Sequence, residues 1–440
     1  MRAKPLKLTG WGRAESAEMA MFRPERAREA ASLLSVRPGG TTVRGGGRAY
    51  GDQTLNDLGH GVLTGRLDRL ISFDDQTGLL VAEAGVTFAD LLATFLPKGW
   101  QVPVSPGTGF ATLGGAIAND IHGKNNEATG SFGHHVAWFD LVLPSGAVQR
   151  VEPGSDLFRA TIGGIGLTGL ILTVALQMRK VGSNAMEVDE RRIPDLDRFM
   201  AALTDARTTH PYAVGWIDAL ATGKSMGRGI LELGRSADRD VAEPPRKAKR
   251  LPIDLPGFVL NPWSIRAFNA FYYGRIGAGG RVASVPVSQY LYPLDALLDW
   301  NRMYGKRGFH QFQCVLPDEQ APDGMRRLLR TISAAGAASF LAVIKSMGGP
   351  GLGMLSFAQK GFSLALDIPH RPGSITLLQQ LEAETLDHGG RIYLAKDSAL
   401  SAEGFRAMYP EASSFRNFID DLDPENVMNS DMARRLGLRT

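Results

Sequence analysis

The chain of 440 residues carries a formal net charge of +4, with 44% apolar and 21% charged residues. These are ordinary proportions for a globular protein that buries a sizeable core. So small a charge, with no stripe of arginines interleaved with aromatics, argues against nucleic acid as a partner. Cys314 is the only cysteine, which excludes an intrachain disulfide and any multi-cysteine zinc or iron–sulfur site, and no metal site is expected.

A prior of roughly 100 to 200 residues per domain suggests two to four structural units. The start, MRAKPLKLTGWGRAESAEM, has no continuous apolar run, and no window reaches the roughly 18 apolar residues of a membrane span. A lone cysteine fits a reducing compartment, so the expected place is the cytoplasm, with a peripheral position at the inner face of the membrane left open.

In chain order, LISF and LLVAEAG read as paired strands around DDQTG. Thr87 opens a helix with Asp90 three residues on, and Phe88, Leu91, Leu92, Phe95 and Leu96 share one face. Gly99 closes it. The stretch Ser105 to His135 is dense in glycine and holds no long helical run. AWFDLVLPSGAVQRVEP reads as a hairpin turning at Pro144, Ser145 and Gly146, and ILTVALQM as another strand. Hairpins mixed with helices argue for an α+β arrangement.

A second unit is expected near Gly182, where helical patterning resumes after KVGSN. Residues 238–262 hold five prolines, Pro244, Pro245, Pro252, Pro256 and Pro262, which disfavour a long regular element. A long surface loop is expected there. Its basic run, Arg246, Lys247, Lys249 and Arg250, leads into LPIDLPGFVLNPW. Two readings stay open: a solvated linker, or a lid or membrane-surface contact, since basic residues beside exposed apolar ones suit anionic headgroups.

Three glycine clusters precede residue 170: RGGGRAYGD, the Ser105–His135 stretch, and GGIGLTG. The last contains G-x-G-x-x-G at Gly164, Gly166 and Gly169. A dinucleotide fingerprint needs a strand before and a helix after. Here the helix-like DLFRATI precedes and LILTVALQM follows, so a Rossmann site is rejected. No Walker motif occurs. In the first two clusters, glycines admit positive φ and let successive amides converge on an oxyanion such as a pyrophosphate. Lys124 and Arg48 are the cations expected to balance it. The bland alternative for any one cluster is a tight turn.

RGGGRAYGD, PGTGFATLGGAIANDIHGKNNEATGSFGHHV and GGIGLTG, in that order, resemble the vanillyl-alcohol-oxidase (PCMH-type) flavin-binding domain. DIHGKN with GSFGHHV, then YPLDALLDWNRMYG, FHQFQCVLP, RIYLAKDS and SDMARRLGL, resemble more closely the decaprenylphosphoryl-β-D-ribose oxidase family, the flavoprotein subunit of a ribose 2'-epimerase. The resemblance runs over nearly all of the chain and is weakest from Gly182 to Arg281.

The resemblance implies a two-subdomain FAD-binding domain over residues 1–182, completed by 390–440, and a substrate domain with antiparallel sheet over 183–389. By motif position, Arg44, Gly45, Gly46, Gly47, Arg48, Ala49, Tyr50, Gly51, Asp52, Pro106, Gly107, Thr112, Leu113, Gly114, Gly115, His122, Gly123, Lys124, Asn125, Leu170 and Tyr393 would line FAD. Many relatives tether flavin through a histidine in the first cluster. Arg48 stands there, so FAD is expected to be held non-covalently.

The implied chemistry is hydride transfer from a carbinol to flavin N5, with Lys396 or His122 taking the hydroxyl proton and Tyr50 positioning the hydroxyl. Without the resemblance, Lys396 reads as a surface lysine, and His122 reads equally as a structural or flavin-packing histidine. Trp216, Asn301, Gln311, Gln313, Lys345 and Asp367 are the implied substrate residues. Lys345 suits a phosphate. Gln311 and Gln313 alternate on a strand and so face one side, while Trp216 reads equally as core.

The implied substrate is a lipid-linked sugar phosphate, a polyprenylphosphoryl ribose oxidised at its 2'-hydroxyl, with a partner NAD(P)H-dependent keto-sugar reductase completing an epimerisation. A soluble alditol or sugar lactone, or flavin binding without turnover, are the alternatives. Two departures stand out. Ala365 replaces the cysteine of mycobacterial members, so thiol-capturing inhibitors should fail. Leu291 occupies the position of an expected tyrosine, with Tyr290 and Tyr292 on either side.

Overall fold

The alternation around DDQTG is realised as an antiparallel pair, Leu70–Phe73 against Leu79–Glu83. In the computed structural model, which describes residues 2–243, 248–337 and 340–440, this pair edges a five-stranded sheet. The sheet continues through Leu170–Gln177 and Val136–Val142 to Val148–Val151, the last two forming the expected hairpin. Phe88–Phe95 packs on it, capped by reciprocal bonds between Thr87 and Asp90, and Gly99 ends the following turn at φ 76°. Its apolar face meets Phe132, Phe139 and Phe158 in one core.

A four-stranded sheet holds Lys4–Thr9, Ser16–Phe22, His60–Leu63 and Thr41–Arg44 in that spatial order. Thr41–Arg44 and His60–Leu63 run parallel, so the chain must cross over between them. The cluster RGGGRAYGD occupies that crossover. As expected, the helix Asp156–Thr161 precedes GGIGLTG and the strand Leu170–Gln177 follows it.

The third large sheet has eight antiparallel strands, in the order Arg281–Pro286, Ala185–Ile193, Gly229–Ser236, Tyr212–Ile217, Ala342–Met347, Gly361–Pro369, Phe309–Leu316 and Arg391–Ile392. Residues alternate between its faces. One set, Phe312, Cys314, Ile344, Leu364 and Leu366, packs on Phe199, Leu203, Leu328, Ile332 and Leu381 of the helices behind. The other face turns to the first 180 residues: Met186, Val188 and Tyr212 join the core of the five-stranded sheet.

The segment after residue 390 joins both parts. Phe405, Tyr409 and Phe415 fill the core behind the eight-stranded sheet. The Thr41 amide donates to the Val427 carbonyl at 2.7 Å. Arg435 makes two bonds to Asp52, both 2.8 Å, and one to Asp397 at 2.9 Å.

Two expectations need correction. Where helical patterning was read after KVGSN, the chain first forms the strand Ala185–Ile193, because Met186, Val188 and Glu190 are buried in steps of two. The loop over 238–262 is partly organised. Lys249–Arg250 pairs in parallel with Leu297–Leu298, and Asp254 bonds Arg13 at 2.6 Å and Arg302 at 3.2 Å. Pro262 is the first residue of a helix, Pro262–Gly274, where its missing N–H costs nothing. Pro244, Pro245, Arg246 and Lys247 lie outside the described residues.

Candidate active site

The first two glycine clusters interlock. A Cβ on Gly45 would lie 2.3 Å from Thr112 Oγ1, and one on Gly46 would lie 2.2 Å from the Phe110 carbonyl oxygen. Only glycine permits this approach. Gly47 turns at φ 63°, and Gly107 has open space where a side chain would stand. Along this seam runs a cleft of about 520 Å³, lined by Thr9 to Trp11, Arg13, Arg44 to Arg48, Asp299, Asn301 and Arg302.

The other expected cofactor residues divide into those beside this seam and those committed elsewhere. Thr112 caps the helix Leu113–Ala118, accepting from the Gly115 amide at 3.3 Å, and Leu113 and Gly114 pack beneath it. Arg44 donates to Thr9 O and Thr54 Oγ1, both at 2.8 Å. Ala49 accepts from Trp11 N, and Gly51 lies against the Asp397 carbonyl. Asn125 donates to Pro103 O at 2.8 Å, and Ser105, next to Pro106, bonds the Tyr292 hydroxyl at 2.7 Å. Leu170 is wholly buried in the core between the two smaller sheets, so its side chain serves packing.

The two cations expected to balance a pyrophosphate are held by protein groups. The Arg48 guanidinium lies 4.0 Å from the Trp11 ring centre and 4.7 Å from that of Phe110. Lys124 donates to Tyr290 O at 2.8 Å, lies 3.5 Å from Glu232 and sits 4.1 Å from the Tyr290 ring centre.

Facing these loops, the eight-stranded sheet presents a polar row written by its register. Gln311 pairs with Asp367, Gln313 with Ala365, Lys345 with Ser363, and Trp216 with Val343. Partners across a sheet share a face. Gln311 and Gln313 therefore do face one side, together with Asp367 and Lys345.

Gln313 bridges this row to the glycine-rich stretch. Its amide donates to His122 Nε2 at 3.0 Å and to Ser363 Oγ at 3.2 Å. His122 packs on Tyr393 and Phe357, with ring centres 5.0 and 5.2 Å away, and Tyr393 donates to Asn119 O at 3.0 Å. Burial, then Lys345 and Lys396, holds the His122 pKa well below the ordinary imidazole value. It is neutral near pH 7, and with Nε2 accepting, its proton sits on Nδ1, a buried donor with no protein partner.

Lys345 donates to the Gly123 carbonyl at 3.4 Å, and burial with Lys396 and Lys124 nearby brings its ammonium down to about 7. Lys396 lies over the Tyr50 ring at 3.8 Å. Burial lowers it to about 8 against the pull of Asp367. Tyr50 is held well above the usual phenol value by burial and Asp367, so it stays a hydrogen-bond donor. Trp216 is half-buried, donating Nε1 to Phe340 O at 2.9 Å, and Asn301 donates to Trp11 O at 2.9 Å across the cleft mouth.

The residues present fit a large polar cofactor. Buried polar atoms without partners, Gln53 Oε1, Arg48 Nε, His122 Nδ1 and Gln311 Oε1, accompany a cradle that a Cβ would fill. Sequence reasoning missed Ser363, Tyr304, Trp11 and Phe357. Ser363 was legible in principle, two and four residues before Ala365 and Asp367 on one strand face; Tyr304 lies on the short helix Trp300–Tyr304 within YPLDALLDWNRMYG, and Trp11 and Phe357 reach the site from irregular segments that carried no local signal.

A family model described as an FAD binding domain matches residues 23–152. The chain is 35% identical over 98% of its length to decaprenylphosphoryl-β-D-ribose oxidase of Mycolicibacterium smegmatis, covering 97% of that protein. It is also 35% identical to an uncharacterised protein of Streptomyces coelicolor, over 80% of this chain and all of the other. To L-gulonolactone oxidase of Bos taurus it is 27% identical over 40% of each chain. An FAD-binding domain of the PCMH type, joined to an antiparallel sheet whose polar row faces the glycine cradle, thus belongs to a flavin-dependent oxidoreductase acting on CH–OH groups, and the chain is a member of the decaprenylphosphoryl-β-D-ribose oxidase family.

Proposed function

We propose that the protein oxidises the 2'-hydroxyl of a polyprenylphosphoryl ribose to the 2'-keto sugar. One observation supports this reading beyond the family match: three lysines, Lys124, Lys345 and Lys396, gather at the site, and among the described residues the carboxylates acting on them are Glu232 and Asp367. A buried excess of cation calls for an anionic ligand.

Residues 1–182 with 390–440 form the proposed cofactor unit, and 183–389 the substrate unit. Arg44 to Asp52, Gly107, Thr112 to Gly115, His122 and Tyr393 would hold FAD. When bound, FAD accepts the hydride from the carbinol carbon. No histidine stands in the first cluster, and Arg48 is clamped between two rings, which supports non-covalent binding. Yellow flavin in an acid precipitate of the protein overturns it.

Lys396 takes the hydroxyl proton, since burial favours its neutral, basic form. Tyr50 donates to the oxygen. Gln313 and Ser363 bond sugar hydroxyls, Lys345 the phosphate, and Trp216 and Asn301 bound the mouth.

A membrane contact is proposed at the helix Pro262–Gly274. No described helix is long and apolar enough to cross a membrane, but Phe258, Trp263 and Phe271, in the segment that follows the exposed Lys249 and Arg250, are 76%, 79% and 78% exposed. Phe268 of that helix contacts Phe340, which stacks towards Tyr304, an aromatic row suited to a polyprenyl tail. These residues support a peripheral position at the cytoplasmic face of a membrane, where an NAD(P)H-dependent reductase would consume the keto sugar.

A second reading, oxidation of a soluble sugar lactone or alditol, draws on the likeness to L-gulonolactone oxidase. Anaerobic titration decides: polyprenylphosphoryl ribose bleaches the flavin under the first reading, and bleaching by free polyols or lactones alone overturns it.

A further inference from the structure

Asp120 opens the motif DIHGKN, two residues before His122, and has no part in the chemistry proposed above. It is wholly buried and turns the chain at φ 39°, in the left-handed region. Its carboxylate is held by neutral donors. Oδ2 accepts from Ser131 Oγ at 2.8 Å and from Ser356 Oγ at 2.6 Å, and Oδ1 accepts from the Gly133 amide at 2.8 Å. Burial pushes the carboxyl up, and these three bonds draw it back. There is no slack around it: a Cβ on Gly351 would lie 2.1 Å from Oδ2, and one on Gly133 would lie 3.1 Å from Oδ1.

The donors come from the two segments that enclose His122. His122 pairs with Ser131 as an antiparallel bridge, and the Phe132 amide donates to the Ile121 carbonyl at 2.9 Å. Through Ser131 and Gly133 the carboxylate therefore closes the turn that carries His122. Ser356 belongs to the segment GGPGLGMLSF, and its neighbour Phe357 packs on the His122 ring, centres 5.2 Å apart. Phe357 also stacks on Tyr393 at 4.7 Å, and Tyr393 donates to the carbonyl of Asn119, the residue before Asp120, at 3.0 Å. One carboxylate thus ties together the turn beneath the imidazole and an aromatic wall beside it.

The tie bears on which nitrogen holds the proton. With Nε2 accepting from Gln313 at 3.0 Å, the proton sits on Nδ1, which is buried and has no protein partner. A ring released from its walls is free to offer Nε2–H to the carbonyl oxygen of Gln313 instead, leaving Nδ1 bare. Lys345 and Lys396 act on this ring from the sheet and from the turn Leu394–Lys396, and His134 Nδ1 lies 3.3 Å from Ser131 Oγ.

We propose that Asp120 is a positioning residue for His122: by fastening Ser131, Gly133 and Ser356 it fixes the imidazole against Phe357 and Tyr393, so that Nδ1–H stands as a preset donor to a bound acceptor. Enclosed on every side, Asp120 itself forms no bond to cofactor or substrate. That the acceptor is the flavin rests on His122 being a cofactor residue, as proposed above; the fixing of the ring is measurable whether or not that holds.

The test uses the full chain with its FAD and with isotope-labelled histidine rings, the His122 nitrogen signals being those lost in H122Q. In the unmodified protein Nε2 should be bare and Nδ1 protonated, with no averaging between them. S356A removes one bond to Asp120, and D120N keeps the bulk but turns an amide NH2 towards groups that themselves donate. In each, the share of the Nε2–H tautomer should rise about tenfold, the weight of one buried hydrogen bond, and the dissociation constant of FAD should rise by a similar factor. S131A carries the test if D120N fails to fold. S374A is the control: it removes a similarly buried hydroxyl with two hydrogen bonds, both 2.9 Å, from a helix packed behind the eight-stranded sheet. It should lower stability and leave both readouts unmoved. A His122 tautomer unchanged in the folded variants, or changed as much in S374A, overturns the proposal. A shifted tautomer with FAD affinity kept supports the positioning and overturns the reading of His122 as a cofactor residue.

Discussion

The Nζ of Lys396 lies 3.8 Å from the centre of the Tyr50 ring, so an amine and a phenol share one wall of the site. Both come from turns: Tyr50 from the first glycine cluster and Lys396 from the short helix Leu394–Lys396. The Tyr50 amide donates to the Ala395 carbonyl at 3.0 Å, which holds the two segments together.

With Lys396 lowered to about 8, the fraction able to accept a proton grows as pH rises through that value. The rate of anaerobic flavin reduction should therefore climb through about pH 8 and level off above it. K396M removes the amine but keeps its bulk. Its reduction rate should fall roughly 10²- to 10⁴-fold, the range for a lost general base, and the limb near pH 8 should vanish. Stopped-flow traces of flavin absorbance across pH check both.

The cradle makes a separate prediction. A Cβ on Gly46 would meet the Phe110 carbonyl oxygen at 2.2 Å, and because that neighbour is backbone it has little room to yield. G46A should cost about 1–3 kcal/mol in the cofactor-ready geometry, weakening FAD roughly 5- to 150-fold. Flavin per protein, measured by absorbance at fixed free FAD, should drop while the circular dichroism of the fold is kept.

His310 bears on acid stability. It is 1% exposed, with Nδ1 2.7 Å from Ser398 Oγ and Nε2 2.7 Å from His370 Nδ1. Burial, then the His370 charge, lowers it to about 4. Its folded pKa thus lies below the unfolded value of about 6.5, so its contribution is full above pH 6.5 and is lost as pH falls towards 4. The loss amounts to at most about 3 kcal/mol. Urea unfolding between pH 7.5 and 4.5 should show a shallower decline for H310Q than for the unmodified protein.

Ala365 predicts a gain of reactivity. It stands between Gln313 and Val343 in the polar row of the sheet. Cys314 is wholly buried, and burial pushes its thiol up to about 12, so the folded protein should resist maleimide and other thiol-capturing reagents. A365C should take one label per chain, read by mass spectrometry of the folded protein.

Local pattern by itself determined the helix capped by Thr87 and Asp90, the hairpin at Pro144 to Gly146, the reversed order around GGIGLTG and the shared face of Gln311 and Gln313. Each depends on a period or a turn signal contained in a few consecutive residues. The glycine clusters and their companion motifs likewise carried the family and its flavin domain. Tertiary structure decided what distant residues do to one another. Gln313 meets His122 across 191 residues, and Asp367 reaches Tyr304 across 63, contacts created by sheet register and loop closure. It also committed Arg48 to Trp11 and Lys124 to Glu232, put Leu170 in a core, and formed a strand at Ala185–Ile193. Above all, it enclosed a lysine that reads as a surface residue and brought its pKa down to about 8. That change comes from burial, and burial is a property of the assembled fold rather than of any run of sequence.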